Sequence, residues 1–175
     1  TLLFPALAAD GRVVGLGSDS TRMVRLDPAD LWSERRYSPF RAYGFSKHAV
    51  QGFHLELARR LAAAGDSRMS LLAHPGWATS AYAARRPGIT DRDPVRGRVF
   101  ETLTGWVGQG KDHGAWPVVR AVADPDAVNG TYFGPRWMLR GAPVPTTPVA
   151  TSAAPAFGAA LWADAEQRVG IHFPL

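Results

Sequence analysis

Tyr43 and Lys47 stand four residues apart in the run Tyr43-Gly44-Phe45-Ser46-Lys47, which reads as the first turns of a long helix entered at Ser38-Pro39. Residues at that spacing share one helix face, so a phenol and an ammonium can act on the same point. A phenol with a pKa near ~10 is a poor proton donor or acceptor at neutral pH, and a neighbouring ammonium favours the phenolate. The pair is a candidate for general acid/base chemistry. The spacing alone has little specificity, because an exposed Tyr/Lys pair on an amphipathic helix is an ordinary surface feature. Lysine usage adds to it. Of 20 basic residues only Lys47 and Lys111 are lysines, and arginine cannot supply a compact charge whose pKa can be moved.

A second candidate is Ser18, in Gly17-Ser18-Asp19-Ser20 just after the apolar run Arg12 to Leu16. That run, valine-rich and bounded by glycines, reads as a buried parallel-type strand. In open α/β sheets ligands bind beyond the carboxyl ends of strands, where Ser18 would lie; the simpler reading is a turn serine bonding its own backbone. His74, before Pro75-Gly76, has no second ligand nearby in sequence, so no metal site is assigned.

Helices and strands must bring these residues together. Residues 1–9 read as the end of an amphipathic helix closed by Asp10-Gly11. The chain thus opens in what reads as the middle of an element, as a fragment would. Residues 21–37 form a polar loop able to roof a pocket, with a helical turn over 27–32. The long helix spans about Pro39 to Ala64, capped by Ser38 and stopped by Gly65. Its apolar stripe is Val50, Phe53, Leu57 and Leu61, widened by Phe45, Ala49 and Leu55. Arg68 to Leu72 predicts a second strand, whose following loop opens on the same sheet edge as Ser18. Helices over 98–107, 114–123 and 154–168, a third strand over 130–133 and a proline-rich surface loop over 143–148 complete the pattern. This helix and strand alternation makes one α/β domain over residues 1–175.

Three stretches taken together resemble the downstream half of a short-chain dehydrogenase/reductase: Arg12-Val-Val-Gly-Leu-Gly-Ser18, Tyr37-Ser-Pro-Phe-Arg-Ala-Tyr-Gly-Phe-Ser-Lys47 and His74-Pro-Gly-Trp-Ala-Thr-Ser80. The branch they are most similar to is the retinol-dehydrogenase-like one. The resemblance implies the C-terminal half of a doubly wound Rossmann-type parallel sheet, three strands with flanking helices, lacking the upstream nucleotide-binding half. It implies NAD or NADP as cofactor and interconversion of an alcohol and a carbonyl by hydride transfer. Tyr43 would be the general acid/base, Lys47 would assist it and hold the nicotinamide ribose, and Ser18 would hydrogen-bond the substrate oxygen. Pro75 and Gly76 would shape the loop against the nicotinamide, with Ser80 where the family usually has a cofactor-binding threonine. Gly15 and Gly17 depart from the more usual asparagine and serine. The glycine-rich phosphate loop and the catalytic asparagine have no counterpart here, which keeps open a non-catalytic remnant or dimerisation module of the same fold.

Composition bounds the partners. At 46% hydrophobic and 20% charged the 175 residues have a globular mixture. The net charge of +5 does not predict nucleic-acid binding, because Arg35, Arg36, Arg41, Arg85, Arg86, Arg92, Arg96 and Arg98 are scattered among acids and prolines. There is no cysteine, so thiolate metal sites and disulfides are out and a reducing, cytoplasmic setting is expected. No run reaches the ~18 apolar residues of a membrane span. The expected partners are a lipophilic alcohol, aldehyde or ketone, with Trp77, Tyr82 and Trp106 as lid or core aromatics, and, by analogy, further copies in a homo-oligomer.

Overall fold

The computed structural model describes residues 3–27, 30, 32, 34–35, 37–78 and 107–175. Among these, strands β1 (Arg12–Leu16), β2 (Met69–Ala73), β3 (Tyr132–Pro135) and β4 (Pro143–Thr146) form one sheet in that order. The first three are parallel, with Val14 opposite Leu71 and Leu72 opposite Tyr132, and β4 is antiparallel to β3. Helices α1 (Pro39–Ala63) and α2 (Lys111–Ala123) pack on it, and α3 (Ala150–Ala153) and α4 (Pro155–Val169) pack on α1. This is the α/β architecture expected of a Rossmann-type sheet.

Successive strand side chains point to opposite faces, and both faces are covered. Val13 packs with Phe4, Leu57, Leu61 and Trp162, beside α1 and α4, whereas Val14 joins Leu71, Ala73, Phe133 and Ala121 of α2. Two covered faces explain why the strands read as apolar runs without alternation. β1 has a strand partner on one side only among the described residues, and Leu16 at its end is half exposed.

In α1 the stripe residues Leu57 and Leu61 are buried, each contributing about 1.5–3 kcal/mol. Phe53, half-buried, stacks on Trp162 with ring centroids 5.0 Å apart. The same helix also buries His48, Gln51 and Glu56, which apolar periodicity could not reveal. Ser38 sits at the N-cap in extended backbone without a side-chain capping bond, so Pro39 with its preset φ opens the helix. No described helix is long and apolar enough to cross a membrane.

Several expectations are corrected, mostly by proline. The opening helix is a single 3₁₀ turn, Phe4–Ala6, because Pro5 lacks the N–H that a helix interior needs. The proline-rich loop is strand β4. Arg136 N–H donates to Ala142 O, and this alternation puts Pro135, Pro143 and Pro145 at positions of the β3–β4 ladder that need no donor. The sheet therefore has a fourth strand beyond the three expected. The last helix is interrupted at Ala154, which Pro155 holds extended at φ −61°, ψ 124°. α2 begins at Lys111, three residues earlier than expected, and β3 runs over Tyr132–Pro135. The helix expected over 98–107 lies outside the described residues except for Val107.

Candidate active site

The carboxyl ends of β1 and β2 open onto a cleft of about 380 Å³ lined by Ser18, Asp19, Arg22, Tyr43, Gly76 and Trp77. Met23, Phe40, Met138 and Leu139 complete its apolar wall. Of the residues singled out from sequence, Ser18, Tyr43 and Gly76 thus meet in one cavity. Tyr43 is half exposed there. Lys47 stands behind it, its Nζ 5.7 Å from the centre of the Tyr43 ring, and donates to Leu16 O at 2.9 Å. An ammonium has three protons to donate, so that bond anchors the side chain to the end of β1 and leaves two others.

Ser18 ends an extended stretch and caps a 3₁₀ turn over Asp19–Arg22, its Oγ accepting from Ser20 N–H at 3.2 Å. The local reading of a turn serine is therefore correct in part. It does not compete with the functional one, because an oxygen that accepts keeps its own proton free to donate into the cleft.

The loop carrying Ser18 is tied to α1 by buried polar groups. Gln51 Nε2 donates to Ser18 O at 3.1 Å. His48 Nε2 lies 2.8 Å from Val24 O and its Nδ1 lies 2.6 Å from Ser152 Oγ. A carbonyl only accepts, so His48 Nε2 carries a proton and donates to Val24 O. A Cβ on Gly44 would come within 2.6 Å of the Val24 side chain. The glycine next to Tyr43 is thus what lets this loop lie against the helix.

Glycines 15 and 17, which depart from the family pattern, each make room for a ring. A Cβ on Gly15 would lie 2.3 Å from His54 Cδ2, and one on Gly17 would lie 2.9 Å from the Tyr132 hydroxyl. His54 hydrogen-bonds Ser70 Oγ, which donates in turn to His54 O, and burial pushes its pKa down to about 4. Burial raises the Tyr132 phenol, and the Asp19 carboxylate adds to that.

On the opposite wall, Gly76 holds φ +64° and its absent Cβ would lie 2.4 Å from Leu139 O, so no other residue fits either the conformation or the space. Trp77 N–H donates to that same Leu139 O at 2.8 Å. Gln109 then clasps the wall, donating from Nε2 to Pro75 O and accepting from Gly141 N–H. The β3–β4 turn, with Met138 at φ 63°, is thereby fixed over the cleft. Pro75 and Gly76 shape this wall.

His74 is buried, not a ligand facing the cleft. Its Nδ1 accepts from Gly76 N–H at 3.2 Å and lies 3.5 Å from Asp19 Oδ2. Burial lowers its pKa, outweighing the upward pull of Asp19, so the contact is not a charged pair near neutral pH. Ser80, Tyr82 and Trp106 lie outside the described residues. Sequence reasoning missed Gln51, Tyr132, Met138 and Leu139, whose roles come from distant parts of the chain; the two unusual glycines were the visible trace of the rings packed against them.

No protein-family model matches the chain. It is 39% identical to polyprenol dehydrogenase of Mus musculus over 142 residues, 75% of this chain and 40% of that protein. It also superposes on the crystal structure of an uncharacterised protein from Mycobacterium paratuberculosis with a TM-score of 0.68 and 32% identity, over 94% of this chain and 52% of the other. The chain thus spans about 40% of the length of the curated relative and about half that of the solved one. A cleft at the sheet edge lined by Ser18 and Tyr43, with Lys47 behind the phenol, occurs in a chain whose sequence is similar to that of a dehydrogenase.

Proposed function

We propose that this chain supplies the catalytic and substrate side of an NAD- or NADP-dependent short-chain dehydrogenase/reductase that interconverts a lipophilic alcohol and its carbonyl. The observation that carries the reading is the convergence of Tyr43 and Ser18 on one cleft with Lys47 behind the phenol. The nicotinamide, when bound, supplies or accepts the hydride. The donors and space suit it: Lys47 has protons left after bonding Leu16 O, and Gly76 leaves the cleft wall without a side chain.

In this reading Tyr43 takes the hydroxyl proton during oxidation and returns it during reduction. Lys47, on the same helix face, would hold the nicotinamide ribose with the protons left after bonding Leu16 O. Ser18 donates its free proton to the substrate oxygen as charge develops there, a contribution realised mainly in the transition state. Met23, Phe40, Trp77, Met138 and Leu139 hold the apolar part of the substrate and exclude water around the reacting carbon. The name of the mouse relative supports a lipophilic alcohol.

A fluorescence titration with NADH and NADPH tests the cofactor side. Saturable binding by the wild-type chain, weakened at least tenfold in a Tyr43→Phe/Lys47→Ala double variant, supports the reading, since two lost hydrogen bonds amount to about that factor. Equal binding by the two proteins, or none by a folded wild type, counts against it and favours a non-catalytic module of the same fold.

A further inference from the structure

Beneath Ser18 lies a polar cluster that direct participation in the reaction does not explain. Gln51 is fully buried, one helical turn beyond Lys47. Its Nε2 lies 3.1 Å from Ser18 O, 3.3 Å from Thr21 Oγ1 and 3.2 Å from the Tyr132 hydroxyl. Thr21 Oγ1 also donates to Ser18 O. The amide orientation is set by Ser18 O, which can only accept. Gln51 Oε1 has no hydrogen-bond partner among the described residues. A buried amide that leaves its oxygen unsatisfied loses stability, so its cost to the fold points to another use.

Tyr132 holds this amide from the far side. Its ring lies against His74, centroids 5.1 Å apart, and its hydroxyl occupies the space that a side chain at position 17 would need. Gly17, Tyr132 and Gln51 therefore form one unit, built from the loop after β1, from β3 and from α1, that ends on the Ser18 carbonyl.

We infer that Gln51 is a positioning residue for Ser18, held by the Tyr132 hydroxyl that Gly17 admits. The unit fixes the Ser18 peptide and so aims the Ser18 hydroxyl into the cleft; neither Gln51 nor Tyr132 touches the substrate. The kinetic part of this inference rests on the dehydrogenase reading, and the structural part does not.

The test compares wild type with Gln51→Met, which keeps the length and removes the donor, and with Tyr132→Phe, which removes one oxygen. The structural readout is amide hydrogen exchange by NMR at Ser20, whose N–H rests on Ser18 Oγ, with the Leu72 amide of β2 as control. Exchange at Ser20 should quicken about tenfold in Gln51→Met, the worth of one lost hydrogen bond, and severalfold in Tyr132→Phe, with Leu72 unchanged. Unchanged protection at Ser20, or equal acceleration at both amides, overturns the inference. Should Gln51→Met not fold, Tyr132→Phe decides alone.

The kinetic readout is oxidation of a lipophilic alcohol with NAD or NADP. A positioned Ser18 predicts kcat lower by about tenfold in Gln51→Met with KM within twofold, as for an interaction made in the transition state. A rise in KM at constant kcat overturns the positioning role. A wild type that oxidises no alcohol removes the dehydrogenase reading, while Ser20 exchange still decides the inference.

Discussion

The floor and the rim of the cleft are built in opposite ways. Gln51, His74 and Tyr132 at the floor are buried and bonded across three strands and a helix, whereas Met23 and Met138 at the rim are 69% and 48% exposed. Buried polar groups with fixed partners hold one geometry, and a hydroxyl that must meet developing charge needs that. Exposed apolar side chains make non-directional contacts suited to an apolar ligand body. In the proposed dehydrogenase reading the floor carries the reaction and the rim sets substrate size, and changes to each should read out differently.

The largest effect is expected at Ser18. In the proposed reading Ser18→Ala removes the proton donated to the substrate oxygen and should lower kcat by about 10²–10³-fold, the usual range for such a donor, with a thermal midpoint lower by about 2–4 °C from the lost cap on Ser20 N–H. A loss under threefold in steady-state alcohol oxidation would erase the functional distinction of the floor.

Acid should lower the stability of the whole fold next, through its buried histidines. His54 is neutral in the folded chain down to a pKa of about 4, against 6.5 when free. Between those values the unfolded chain binds the proton more readily, so stability is full above about pH 6.5 and falls as pH drops toward 4, by at most ~3 kcal/mol from this group. The lowered pKa of His74 acts in the same direction. Urea unfolding at pH 7.5, 6 and 5 measures this, and His54→Gln should flatten part of the slope.

The smallest effect belongs to the rim. Phe40→Ser removes one half-exposed ring from the cleft, worth about 1 kcal/mol or a fivefold rise in KM for a long-chain alcohol. For a short alcohol that cannot reach Phe40 both constants should hold. A change in kcat instead would merge rim with floor.

How much of this was legible varied with the range of the interactions. β1 and α1 follow from local pattern and proline and glycine punctuation, and the observed bounds Arg12–Leu16 and Pro39–Ala63 agree with the expected ones to within a residue. β4 was hidden because its prolines signal a loop, and only the register on β3 shows that they fall at positions needing no donor. Tyr43, Lys47 and Ser18 were visible through spacing and strand-end placement. Gln51 was not, since a glutamine among apolar helix residues reads as solvent-facing until Ser18 O and Tyr132 are seen around it. Gly15 and Gly17 looked like losses, yet they leave space for His54 and Tyr132.

The most direct measurement is reduced-cofactor formation from a lipophilic alcohol by wild type and Tyr43→Phe, with near-identical circular dichroism showing both folded. The account predicts turnover by wild type and a loss of about 10²–10⁴-fold in kcat on removing the one hydroxyl that moves the proton. Equal rates from the two proteins would contradict it.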